Sequence, residues 1–107
     1  MRTDYELFDN QACQQYEFHV EGRTPRVQYI KTKAGEVYLT HTEVPFGLGG
    51  KGIGSSLVEK TLRNIRSQGL RVVPLCPFIT VYINRHPEWK DFVMKAARME
   101  GTAMLNN

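Results

Sequence analysis

Five glycines and one lysine fall between Val44 and Val58, in the run Val-Pro-Phe-Gly-Leu-Gly-Gly-Lys-Gly-Ile-Gly-Ser-Ser-Leu-Val. Glycine reaches backbone dihedrals closed to other residues, and its missing side chain lets a ligand approach the amide N–H groups. The residues after the run have an amphipathic helical pattern, so the loop opens directly into a helix. The first turn of a helix adds unpaired N–H donors and the positive end of a dipole. Loop and helix start together form a cradle for phosphate or pyrophosphate, from Gly49 to Ser55. A second chemical feature follows at Cys76-Pro77. There a thiol precedes a proline that can open a helix, and a helix N-terminus favours the thiolate. Cys76 reads equally as a small buried apolar residue.

The spacing of the glycines decides which phosphate ligand fits. Gly47, Gly49 and Gly52 spell G-x-G-x-x-G, but the dinucleotide reading wants an acidic residue about 20 positions later for the ribose. No Asp or Glu lies between Glu59 and Glu88. A Walker A loop needs a glycine where Pro45 stands, and Ser or Thr where Gly52 follows Lys51. Both nucleotide readings fail.

Gly49-Gly50-Lys51-Gly52-Ile53-Gly54 resembles the R/Q-x-x-G-x-G/A pyrophosphate signature of GNAT N-acetyltransferases, departing at its first position, where Gly49 replaces Arg or Gln. Three further segments carry the likeness: His41-Thr42-Glu43-Val44 upstream, then Val72-Val73-Pro74-Leu75-Cys76-Pro77-Phe78 and Tyr82-Ile83-Asn84-Arg85-His86-Pro87-Glu88-Trp89 downstream. Together they resemble the small single-domain GNAT-like proteins of the YjdJ type, over roughly Phe18 to Val93. The resemblance implies an acetyl-CoA-dependent acyltransferase that moves an acetyl group to an amine acceptor; the open site of so small a chain suits an amine on a protein or peptide. It implies cofactor contacts at Val44, Gly49, Gly50, Lys51, Gly52, Ile53, Gly54, Ser55, Cys76, Asn84 and Arg85. A CoA- or acetyl-CoA-binding module without efficient catalysis, a sensor or adaptor, is the rival reading. The short stretch before the loop, about 40 residues, favours that rival.

Amine acetylation needs a neutral amine, a positioned thioester and a proton for the departing thiolate. His41 and Glu43 stand at the end of a strand beside the loop, and either can take the amine proton directly or through water. His41 is expected on the inner face of its strand, pointing toward the acyl end of the cofactor, where histidine's titration near neutrality suits that task; the competing role in the same place is packing. Cys76 is placed near the acetyl end of the cofactor by the resemblance, to form an acetyl-enzyme intermediate or only to shape the pocket. Tyr82 matches a tyrosine that protonates the leaving thiolate in many such enzymes, or else it packs on the sheet. Lys51 reaches a phosphate or extends into water. His19, His41 and His86 lack metal-ligand spacing, so no metal site is expected.

The elements that must position these residues follow from periodicity and turn chemistry. The first dozen residues are polar and form a short lead-in strand or arm. Tyr16, Phe18 and Val20 alternate with polar neighbours as a half-buried strand does. A turn at Gly22–Pro25 leads to a second strand, Val27 to Lys33, and a hairpin at Lys33–Glu36 leads to a third. On that third strand simple alternation places Val37, Leu39 and His41 on one face, and Tyr38, Thr40 and Thr42 on the other. Three antiparallel strands therefore precede the loop. Ile53, Leu57, Leu62 and Ile65 predict a helix from Gly52 to Gln68, capped by Gly69. Leu70 to Cys76 reads as a buried strand parallel to the third through a right-handed crossover. Pro74 inside it fits an edge or a break, and in a GNAT-like fold two strands splay at that point. A helix from Pro77 to Asn84 and a short helical segment from Glu88 to Met94 close the pattern; the fold class is α/β (α+β), a mixed sheet.

Composition is consistent with this. The 107 residues, 41% of them hydrophobic, suit one folded domain. No apolar run approaches a membrane span and no signal-peptide pattern opens the chain, so a cytoplasmic location with Cys13 and Cys76 as free thiols is expected. A net charge of +3, spread along the chain, argues against nucleic acid while suiting an anionic cofactor. A monomer or weak dimer, with no membrane partner, is the expected state.

Overall fold

The computed structural model describes residues 4–48 and 52–93. Its five strands, β1 (Phe8–Asn10), β2 (Gln15–Glu17), β3 (Arg26–Lys31), β4 (Glu36–Glu43) and β5 (Arg71–Pro74), form one sheet in that order. The first four pair antiparallel, and β5 joins β4 in parallel. Helix α1 (Ile53–Ser67) makes the crossover between β4 and β5. Helix α2 (Pro77–Arg85) and a 3₁₀ helix (Pro87–Phe92) follow.

Four strands rather than three thus precede the loop, because the polar lead-in pairs with β2 at Phe8↔Glu17 through Asn10↔Gln15. The strand expected over Tyr16–Val20 stops at Glu17, and its continuation curls into a tight turn. There Val20 and Arg23 exchange both backbone hydrogen bonds, at 3.0 and 2.8 Å, around Glu21 and Gly22. Both central residues have positive φ, 53° and 78°, the requirement of a type I′ hairpin turn. Glycine meets that requirement at no steric cost; Glu21 does not.

Helix α1 buries Ile53, Leu57, Val58, Thr61, Leu62 and Ile65, one stripe at helical spacing, and packs that stripe on the sheet. Its end is the glycine stop read from the sequence: Gly69 has φ 76°, its N–H bonds Arg66 O at 3.0 Å, and Leu70 N–H bonds Ile65 O at 3.3 Å. That pair of bonds is a Schellman cap. The sheet contributes Tyr16, Val27, Tyr29, Val37, Leu39 and Val72 to the same core, Phe18 just after β2 joins them, and α2 contributes Ile79, Tyr82 and Ile83. Pro77 occupies the first turn of α2, where a missing N–H costs nothing.

Candidate active site

The parallel pair positions the site. β4 runs eight residues and β5 only four. Pairing ends at Leu39↔Pro74, with a last rung from Leu75 N–H to Leu39 O at 3.0 Å. Beyond it Thr40–Glu43 continue with no β5 residue opposite them, and Pro74, which cannot donate, sits where the pairing stops. Pairing thus ends where the splay was expected, but it ends because β5 stops and not because two continuing strands diverge. The strand is shorter than expected, because Leu75 and Cys76 already turn into α2.

One extra residue changes which side chains point into this region. Gln28 pairs with His41 but Tyr29 pairs with Leu39, so Thr40 is a bulge in β4. The bulge reverses the alternation beyond it. Thr42, opposite buried Val27, takes the face that Val37 and Leu39 occupy. His41 and Glu43, opposite Gln28 and Arg26, turn to the other face, and their side chains are 58% and 48% exposed. The expectation that His41 shares the inner face is therefore overturned, and with it both the packing role and the inward-pointing geometry in which His41 acts as base at the acyl end. Glu43 Oε1 accepts a hydrogen bond from Arg26 Nη2 at 2.8 Å, while His41 Nε2 lies 3.7 Å from the same oxygen.

On the inner face Thr42 Oγ1 lies 3.4 Å from Cys76 Sγ. The neutral thiol donates in this contact; once ionised it accepts from the Thr42 hydroxyl. Cys76 is buried and caps α2 in extended conformation, with no side chain capping the helix. Burial pushes the thiol up, but hydrogen bonds from Thr42 and from the backbone of Ile79, Phe78 and Thr42 outweigh it and hold the thiol below its ordinary value. Cys13 is also free, but exposed.

The start of α1 stands at the other end of this region. Gly52 is its N-cap, in left-handed conformation at φ 73°, and offers no side chain to the helix. No acidic residue occupies the first turn. The N–H groups of Ile53, Gly54 and Ser55 have no acceptor within the helix, and among the described residues no N-cap side chain satisfies them, an arrangement that suits an anion. A Cβ built on Gly54 would come within 2.9 Å of Phe78 Cζ and 3.4 Å of Val44 Cγ2. Gly54 is thus the seat for the Phe78 ring, and this contact joins the start of α1 to the start of α2. Gly49, Gly50 and Lys51 lie outside the described residues. The turn that leads to them is held by Arg23, whose guanidinium donates to Phe46 O, and by Leu48 N–H to Pro45 O at 3.1 Å.

Not every expected site residue joins this group. Tyr82 is buried on the side of α2 that meets α1, its ring stacked on His86 at 4.0 Å. Burial, with the Glu59 carboxylate nearby, pushes its phenol up, so it is neutral at neutral pH. These are the contacts of the packing role, and the Thr42–Cys76 pair is not among them. Asn84 and Arg85 are exposed at the C-terminal end of α2, about 10 Å along its axis from Phe78. Thr42, Phe78 and Arg23 were missed from sequence. Among the described residues no helix is long and apolar enough to cross a membrane.

Residues 15–92 match the family model for GCN5-related N-acetyltransferases. Among solved structures, the chain is similar to an NMR structure of a protein from Staphylococcus aureus described as GCN5-like. The TM-score is 0.66 at 19% identity, covering 86% of this chain and 90% of that one. No match was found among curated proteins.

Proposed function

The chain belongs to the GCN5-related N-acetyltransferase family, and we propose that it transfers an acetyl group from acetyl-CoA to a primary amine carried on a protein or peptide. The reading rests on one arrangement: a helix start whose N-cap carries no side chain, which suits a pyrophosphate, and beside it the end of β4 that runs on unpaired past β5 to the Thr42–Cys76 pair. Acetyl-CoA would supply an activated thioester; the amine nitrogen bonds to the acetyl carbon, the carbon–sulfur bond breaks, and the amine proton and thiolate charge must be accommodated. Backbone N–H groups of Ile53, Gly54 and Ser55, with Gly49, Gly50 and Lys51, hold the anionic end. Val44 flanks it, and Asn84 and Arg85 are left for the outer parts of the cofactor.

His41 is the better base. Its imidazole is exposed beside the gap, whereas the Glu43 carboxylate is engaged by Arg26. Both sit on an open sheet face, which suits an amine presented by a macromolecule. Cys76 lies at the acyl end without forming a covalent intermediate, its thiol held by Thr42. Tyr82 remains the candidate acid only if α2 shifts to free it from His86.

One observation favours the second reading, a binding module without efficient catalysis: neither His41 nor Glu43 shares the inner face with Cys76. Thermal denaturation with CoA, acetyl-CoA, NAD and ATP, followed by turnover over amine and peptide acceptors, separates the cases. Stabilisation by CoA at micromolar concentration with turnover supports the enzyme. Stabilisation without turnover supports the module, and stabilisation by NAD or ATP alone refutes both.

A further inference from the structure

Phe46 is 97% exposed, whereas the other large apolar residues at the surface, among the described residues, stay between 43% and 54%. The backbone under it is nevertheless tied down. Leu48 is buried, and its N–H bonds Pro45 O at 3.1 Å. The Arg23 guanidinium donates to Phe46 O and passes so close to Gly47 that a Cβ there would stand 3.3 Å from Nη1. Arg23 precedes β3, which borders β4 on the side away from β5. The clamp therefore holds the turn toward the β3 side, away from the path between the α1 start and Cys76. A ring displayed in water on a backbone already fixed gives up little further freedom when something covers it.

The same turn continues the end of β4 that carries His41 and Glu43. Phe46 follows Glu43 by three residues, at most about 10 Å of extended chain, so a polypeptide whose amine reaches His41 passes the ring within about three positions of that amine. We propose that Phe46 is a specificity contact for the acceptor, taking a large apolar side chain close in sequence to the acetylated amine. This rests on the acetyl-transfer reading above. The charged groups around the ring are already engaged: Glu43 with Arg26, Arg26 also with Thr24 O, and Arg23 with Phe46 O. The ring is the feature left for an acceptor to recognise, and covering one face of it is worth about tenfold in KM.

The test is steady-state turnover of the full chain with acetyl-CoA and lysine peptides that differ only in carrying leucine or serine at one position within that span of the lysine. The wild type should prefer the best leucine peptide over its serine counterpart by about tenfold, in KM rather than kcat. Phe46→Ala should reduce that preference to about twofold or less, and Phe46→Leu, which keeps apolar bulk, should retain part of it. Neither variant opens a cavity, because the side chain lies in solvent. Turnover by the wild type without a preference, or a preference that survives in Phe46→Ala, overturns the proposal alone. So does a calorimetric loss of CoA affinity in Phe46→Ala, which would assign the ring to the cofactor. A change in oligomeric state with the peptide preference intact would assign it to a second copy of the chain and overturn it too. A wild type that binds CoA and acetylates no peptide sinks the acetyl-transfer reading, and this inference with it.

Discussion

Replacing Thr42 by valine keeps the shape and strand propensity of the side chain and removes only its hydroxyl. In the folded protein Cys76 is pulled two ways: burial opposes ionisation, and hydrogen bonds, that of Thr42 foremost, favour it. A hydrogen bond to a charged group contributes about 1.5–3 kcal/mol, and a 3.4 Å contact to sulfur belongs at the lower end. Its loss should cut the thiolate population at fixed pH roughly tenfold and leave burial in control. The sign of the linkage follows. A thiol held below its ordinary value of 9.0 adds stability above that value, which is lost as pH falls through the folded pKa. Thr42→Val should therefore shift both the titration and the stability gain to higher pH. Ultraviolet thiolate absorbance against pH, in a Cys13→Ser background with Cys76→Ala as the blank, measures it. Thr42→Ser should restore the wild-type curve. If Thr42→Val titrates with the wild type, the hydroxyl has no part in setting the thiol.

Other outcomes follow from the same geometry. Thr61 Oγ1 is buried in α1 with no hydrogen-bond partner among the described residues, so Thr61→Val should raise the melting temperature by several degrees, about 1 kcal/mol; an unchanged or lower value refutes the reading. Gly52→Ala forces a side chain into left-handed backbone and should cost about 1 kcal/mol by denaturant titration, with weaker CoA binding besides. His41→Ala should leave the melting temperature unchanged, because the side chain is largely in solvent, yet lower turnover about 10²-fold; full turnover moves the base to Glu43. Glu17 is buried, which pushes its carboxyl up, but hydrogen bonds from Gln15, His19 and Asn10 outweigh this and lower it from 4.5. Its contribution is thus present above that value and lost as pH falls through the folded pKa, so Glu17→Gln should melt below the wild type at neutral pH and converge with it in acid. A gap independent of pH would refute this.

The elements set by local chemistry were legible. Gly69, whose positive φ only glycine meets cheaply, stopped α1 within one residue of the expected end, and Pro77 started α2 where expected. Lost were features that depend on a partner strand. Alternation along Val37–Glu43 places His41 inside, and nothing in the side chains of Thr40 or His41 marks a bulge. The displaced register exists only against Gln28 and Tyr29, and Thr40 is stabilised there by its own hydroxyl, which donates to Gln28 O at 3.4 Å. Phe78 was hidden for a related reason. An apolar residue at a helix start reads as core until the other helix is seen to present a glycine to it.

That single extra residue divides the end of β4 between two tasks. With regular pleating His41 would stand over Cys76 and Thr42 would face solvent, so a base and a thiol would compete for one small space. The bulge gives the inner face a neutral hydroxyl, which can hold the thiol in either protonation state. It gives the outer face the imidazole and the Arg26–Glu43 pair. In the proposed reaction the cofactor then lies along the helix side of the gap, and the amine meets its acyl end from the open side. The proton leaves toward His41 rather than across the buried thiol. Glu43 is already held by Arg26 at 2.8 Å, which leaves His41 the less encumbered of the two groups on that face.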